Sequence, residues 1–328
     1  MTRIGMNPAR HVHSDYVPAR VTAVMITYLP HLEGYFRHRF DVLRLSLTSL
    51  LTNTSMPCDF MVFDNGSCGP VVDYLGELRD RGSLHYLILS GANIGKIGAF
   101  QIVFNAAPGQ IIAYTDDDIL FYPDWLEQHF HILEAFPRAG MVSGAPVRNA
   151  ATYAVRAVQE AIDLNDSGVT YRKERCIPDE WEEDWALSTG RDPEQHRLKM
   201  RERQDTVLCS QGVEAIAGSN HFQFAARKAV LLQAMQQNWT GKLMGQMVEL
   251  DNAIDGLGYL RLSTTGRYAR HLGNALSPAL AEELRQAGFE TGMKRLPRRA
   301  RQRSWLLRIP GARRVLLGLY GRLFKILS

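Results

Sequence analysis

An uncharged run, Ile111-Ile112-Ala113-Tyr114-Thr115, ends in three consecutive carboxylates, Asp116, Asp117 and Asp118. A strand with that ending delivers its acids to the C-terminal edge of a sheet, where open α/β folds bind ligands. Acids one residue apart, here Asp116 and Asp118, point to the same side of an extended backbone. Hard oxygen donors of that kind suit Mn²⁺ or Mg²⁺ held together with a diphosphate. An acidic triplet on its own is most often a solvated turn, so the reading depends on what surrounds it.

The residues upstream have a regular layout. Val21 to Tyr28 is apolar, β-branched and uncharged, which predicts a buried strand. Asp41 to Leu51 carries leucines at 43, 45, 47, 50 and 51 and predicts a covering helix. Asp59 to Asp64 predicts a second strand, closed by the turn Asp64-Asn65-Gly66-Ser67. His85 to Ser90 predicts a third strand, Gly95 to Ala107 a helix, and Ile111 to Asp116 a fourth strand. Alternating strands and helices make βαβ units, hence a mostly parallel sheet flanked by helices. Asp64 and Asp116 then present acids along one sheet edge, the expected place for a nucleotide. Gly91 to Lys96 lacks the spacing of a phosphate loop and has Ile97 where its hydroxyl should stand.

These residues resemble the nucleotide-sugar-binding half of family 2 glycosyltransferases, which have the GT-A fold. The resemblance rests on Asp64-Asn65-Gly66-Ser67, on Asn93-Ile94-Gly95, on Gly109 and on Asp116-Asp117-Asp118, with Gln101 where the family often has Asn. It covers residues 21–146 well and 213–273 moderately. It implies a nucleotide pocket of Thr27, Tyr28, Asp64, Asn65, Asn93, Gly95, Lys96, Asp116 and Asp117. Lys96 lies either near phosphates or simply on an exposed helix face. It also implies a cation, Mn²⁺ or Mg²⁺, on Asp116 and Asp118. His271, in His271-Leu272-Gly273-Asn274, matches a metal-binding histidine of many GT-A enzymes. Without that context a lone loop histidine is bland, and His129 and His131 share no helix face.

The second half is the acceptor side. Val213 to Arg227 reads as extended around Gly218-Ser219-Asn220-His221-Phe222. Met247 to Leu257 reads as a helix with Leu250, Ile254 and Leu257 on one apolar face, stopped by Gly258. In the family this helix opens on a Glu-Asp pair that supplies the catalytic base. Counted back from Gly258, those positions hold Gln246 and Met247, a departure from the family. Glu249 and Asp251 are the nearest carboxylates, and either is a candidate base. Residues 150–212 form a polar insertion whose Trp181 and Trp185 flank three acids, either to stack on a sugar or to anchor a lid.

Charge divides the chain. Thr291 to Ser328 holds 11 Lys and Arg and no Asp or Glu; the rest has 38 − 11 = 27 basic against 34 acidic residues, a net of −7. Beyond Pro310-Gly311, residues Val315, Leu316, Leu319, Tyr320, Leu323, Phe324, Ile326 and Leu327 form an apolar stripe beside Arg314, Arg322 and Lys325. A basic amphipathic helix over 304–328 suits an anionic membrane surface; the alternative is a helix docked on the protein's own core. Nucleic acid is not expected, because the acidic body repels it. Met1 to Arg20 has no apolar core of a signal peptide, no stretch reaches the ~18 apolar residues of a membrane span, and Cys58, Cys68, Cys176 and Cys209 lack metal spacing. A cytoplasmic protein, peripheral on the inner membrane face, is expected.

The expected organisation is an N-terminal extension (1–20), a nucleotide-sugar-binding half (21–146), an acceptor half (147–290) and the basic tail (291–328). The expected activity is inverting, metal-dependent transfer of a sugar from a nucleotide-diphosphate sugar to a glycan or lipid-linked acceptor, in polysaccharide synthesis. Two rivals stand beside it. A sugar nucleotidyltransferase needs a Gly-rich basic loop after the first strand, where this chain reads Thr27-Tyr28-Leu29-Pro30-His31. A non-catalytic membrane adaptor is compatible with the missing Glu-Asp pair.

Overall fold

A computed structural model describes residues 7–163, 168–235, 241–244, 247–276 and 278–286. The basic tail from Thr291 onward, and Gln246, lie outside the described residues. The first half runs β1 (Val21–Thr27), α1 (Arg39–Thr52), β2 (Cys58–Asp64), α2 (Gly69–Asp80), β3 (Tyr86–Leu89), α3 (Gly95–Ala106), β4 (Ile111–Asp116), β5 (Ile119–Phe121), α4 (Trp125–Ala135) and β6 (Ala139–Ser143). The insertion contributes α5 (Arg156–Asp163), β7 (Val169–Glu174), α6 (Asp179–Ser188), α7 (Pro193–Met200) and β8 (Asp205–Ser210). Then come β9 (Val213–Ala217), β10 (Gln223–Arg227), α8 (Lys228–Ala234), α9 (Met247–Gly256), β11 (Leu260–Ser263), β12 (Ala269–His271) and α10 (Pro278–Gln286).

One ten-stranded sheet carries these elements in the order β3-β2-β1-β4-β10-β6-β11-β9-β8-β7. The four strands β3, β2, β1 and β4 are parallel, as βαβ units require. β1 shows why they form. All seven of its residues are buried, so its apolar run has no polar alternation. Val21, Ala23 and Met25 pack with Leu43, Leu47 and Leu50 of α1 and Val71 and Leu75 of α2. Val24 and Ile26 pack on the opposite face with Phe100, Val103 and Phe104 of α3 and Leu250 and Ile254 of α9. Gly109 lets β4 enter beside β1. Its amide donates to Thr22 Oγ1 at 2.9 Å, and a Cβ there would stand 2.7 Å from the Thr22 amide nitrogen.

In the acceptor half, β10 inserts antiparallel between β4 and β6. Within the segment 150–212, β8 and β7 continue the sheet beyond β9 while α6 packs near β12. Leu257 follows the last helical residue of α9 and is 48% exposed, so the apolar face of that helix is Leu250 and Ile254 without it. The four cysteines are unpaired, and among the described residues no helix is long and apolar enough to cross a membrane.

Candidate active site at the acidic sheet edge

The ends of β1, β2 and β4 meet in register. Thr27 lies opposite Asp64, and Ile26 opposite Asp116. Asp64 is buried; its Oδ2 accepts the amides of Gly66 at 3.3 Å and Ser67 at 3.1 Å, which builds the turn after β2. Its Oδ1 is buried with no hydrogen bond from the protein, an acceptor held ready for a donor from elsewhere. Asn65 ties this turn to the next one. Its Nδ2 donates to Asn93 Oδ1 at 3.0 Å, and its Oδ1 accepts the Ile94 amide at 2.9 Å. Asn93 Oδ1 also accepts the Gly95 amide at 2.8 Å. Gly95 has φ +75° and lies against the Lys242 carbonyl, where a Cβ has no room. Thus Asp64, Asn65, Asn93 and Gly95 form one hydrogen-bonded rim around the start of α3. Tyr28 sits just beyond β1 with its ring edge-on to Phe36.

Lys96, the second residue of α3, donates through Nζ to Asp116 at 2.6 and 2.7 Å from the two carboxylate oxygens. The Tyr114 hydroxyl donates to the same carboxylate, and burial followed by the charge of Asp116 pushes that phenol well above its ordinary range. Asp117 and Asp118 turn to a different cation. Arg39, from the start of α1, donates through Nη1 to Asp118 Oδ2 at 2.6 Å and through Nη2 to Asp117 Oδ1, while Nη1 also reaches the Gly273 carbonyl at 3.1 Å. Thr27 Oγ1 donates to Asp117 at 2.6 Å. The expectation that Asp116 and Asp118 share a side is therefore corrected: β4 ends at Asp116, the chain turns, and extended alternation no longer applies.

Burial pushes the Asp117 carboxyl up, against the pull of Arg39. Burial acts in the same sense on Asp118, but His271 and Arg39 outweigh it and hold that carboxyl below its ordinary value. His271 arrives through the ribbon of β12 on β5, in which His271 faces Ile119, and the Leu272 amide donates to the Asp118 carbonyl at 2.8 Å. Its Nε2 lies 3.5 Å from Asp118 Oδ2. Asp118 Oδ1 and His271 Nδ1 are both buried and have no hydrogen bond. Among the described residues no three His, Cys, Asp or Glu side chains already gather as a metal cage. Asp118 and His271 still fit a divalent cation: a carboxylate with an orphaned oxygen stands beside an imidazole with an orphaned nitrogen. Asp116, also expected on the cation, is paired with Lys96 instead.

On the acceptor side, Glu249 is on the exposed face of α9. Asp251 is fully buried and faces His221, Tyr153 and Arg261. Trp185 is buried, under the Arg191 guanidinium and against His196, so it is a packing anchor. Trp181 lies with Trp185, Phe222, Arg267, Arg270 and His271 around one cleft next to the acids. Arg39, Tyr114 and His221 went unnoticed in the sequence. No motif marks Arg39 or His221, whose partners are distant along the chain, 78 residues for Arg39 and Asp117 and 30 for His221 and Asp251, while the Tyr114 phenol lies within the run already read as a plain strand.

The family model for glycosyl transferase family 2 matches residues 35–204, just over half of the 328 residues. The chain is similar to an uncharacterized glycosyltransferase from Nostoc sp. (strain PCC 7120 / SAG 25.82 / UTEX 2576), 28% identical over 97 residues, covering 30% of this chain and 29% of that one. It thus spans under a third of the length of that relative. Among solved structures it is similar to the mannosyltransferase PcManGT from Pyrobaculum calidifontis in complex with GDP-Man and Mn²⁺, at 23% identity over 39% of this chain and 36% of that one, with TM-score 0.32. It is also similar to S. aureus TarS 1-349, at 11% identity over 82% of this chain and 64% of that one, with TM-score 0.45. With more than half of its length matched by the family model, the chain belongs to glycosyl transferase family 2.

Proposed function

We propose that this protein is an inverting, metal-dependent glycosyltransferase that moves a sugar from a nucleotide-diphosphate sugar to a hydroxyl of a glycan or lipid-linked acceptor, in glycan or cell-surface polysaccharide synthesis. The observation that carries the reading is the meeting, at one sheet edge, of a buried acceptor on Asp64, a cation on Lys96 and an orphaned carboxylate oxygen on Asp118. Base and ribose donors suit the Asp64–Asn65–Asn93 rim. Lys96, at the N-terminus of α3, offers positive charge where a diphosphate would lie, reinforced by the helix dipole. Asp118 and His271 would hold Mn²⁺ or Mg²⁺, which would supply charge neutralisation for a departing diphosphate. Single displacement at the anomeric carbon inverts its configuration, and it needs a base on the face opposite the leaving group.

A peripheral place on the cytoplasmic membrane face belongs to the same proposal. It is supported by the 11 basic residues of 291–328 and the apolar stripe beside them. One observation favours the non-catalytic adaptor as a second reading: Met247 opens α9 where the family carries an acid. Incubation with UDP-glucose, UDP-GlcNAc and GDP-mannose plus Mn²⁺, followed by assay of free nucleotide, separates the two. Release that stops on adding chelator supports transfer; tight nucleotide binding with no release from any donor supports the adaptor.

A further inference from the structure

Asp251 is sealed from solvent, yet three donors converge on its Oδ2. They are the Tyr153 hydroxyl at 2.8 Å, His221 Nδ1 at 2.9 Å and Arg261 Nη2 at 3.2 Å. Arg261, itself fully buried, balances the carboxylate charge and is fixed by the Ser219 and Tyr153 carbonyls. His221 differs from its partners: its side chain is 31% exposed. It stands in the turn between β9 and β10, directly before Phe222. The Phe222 carbonyl accepts the Asp116 amide at 2.8 Å, and its ring meets His271 edge-on at 5.3 Å. A solvent-reached imidazole is therefore placed next to the acidic edge and gripped from behind by a buried carboxylate.

We propose that His221 is the base that deprotonates the acceptor hydroxyl, with Asp251 as the residue that positions it; this rests on the transferase reading above. Donation from Nδ1 to Asp251 fixes the tautomer and leaves the Nε2 lone pair to accept a proton. Nε2 takes the hydroxyl proton as the acceptor oxygen bonds to the anomeric carbon. The bond from that carbon to the diphosphate oxygen breaks, and its electron pair leaves with the diphosphate. The imidazolium formed is stabilised by Asp251, as in other carboxylate–histidine bases, and later releases its proton to water. The alternatives on α9 are poorer. Met247 has no basic atom, Glu249 is on the exposed face, and Asp251 cannot reach an acceptor.

The test uses the full chain, the three nucleotide sugars named above with Mn²⁺, and water as the acceptor. His221→Gln should bind UDP or GDP as tightly as wild type in calorimetry but release nucleotide at least ~10²-fold more slowly, the lower end for general-base catalysis. Added imidazole should restore turnover to His221→Ala, which a purely structural histidine does not allow. Asp251→Asn should lose less and gain nothing from imidazole; should it fail to fold, the two His221 variants decide. Undiminished release by His221→Gln overturns the assignment and leaves the transferase reading intact. Nucleotide binding lost together with release also overturns it, because His221 then shapes the donor pocket. A wild type silent on every donor overturns the transferase reading, and the base assignment with it.

Discussion

At the residue scale, the triplet is a problem in compensating buried charge. Asp117 and Asp118 share Arg39, and Asp116 has Lys96. Removing a buried partner leaves an uncompensated charge, which costs more than the pair contributes. Arg39→Met should therefore lower unfolding free energy by about 3–5 kcal/mol in urea titrations; an unchanged midpoint would show that water reaches the acids and screens them. Asp118→Asn keeps the shape and removes one charge at the cation position. Nucleotide release should collapse while the fold, followed by circular dichroism, survives. His271→Ala should leave both the fold and maximal turnover in place but raise the Mn²⁺ concentration for half-activity. Equal metal dependence would return His271 to a loop histidine. The positions of Asp64 and Asp116 could be read from the sequence because a strand ending is a local signal. The pairing of Asp118 with Arg39 and of His221 with Asp251 could not, since those contacts join residues 79 and 30 apart.

At the scale of elements, β1, β2, β4, α1 and α3 were legible because burial on both sheet faces writes short, mostly apolar strands and apolar helices between them. The reversal of β10 was not, since strand order depends on contacts made far along the chain. His129 shows how an element can hide a titrating group. On α4 it is fully buried, Nδ1 donates to the Trp125 carbonyl, and Nε2 accepts from Gln223 Nε2 at 3.0 Å. Both bonds suit the neutral ring, and Gly144 leaves space for it. Burial pushes its pKa down from 6.5 to about 4. Unfolded chains bind that proton first, so stability is full above pH 6.5 and falls as pH drops toward 4. The loss should approach about 3 kcal/mol. Denaturation midpoints between pH 7 and 4.5 should fall for wild type and fall less for His129→Gln; parallel curves would place the titration elsewhere.

At the scale of the whole molecule, an acidic body and a basic, apolar-striped tail divide the work in our account. On the proposed membrane placement, headgroup attraction of roughly 1 kcal/mol per arginine or lysine would add to any burial of the apolar residues in lipid. Full-length protein should sediment with anionic vesicles, and high salt should partly release it. Cutting after Gly292 should abolish sedimentation and spare nucleotide release. A truncated chain that unfolds would mean that the stripe packs on the protein's own core.

On the proposed function, the sheet edge would hold a nucleotide diphosphate together with a divalent cation. Calorimetric titration of UDP and of GDP into the protein, with Mn²⁺ and with chelator, tests it most directly. At least one nucleotide should bind, and its binding should weaken sharply in chelator and as much in Asp118→Asn with Mn²⁺ present. Nucleotide binding indifferent to both Mn²⁺ and Asp118 would contradict it.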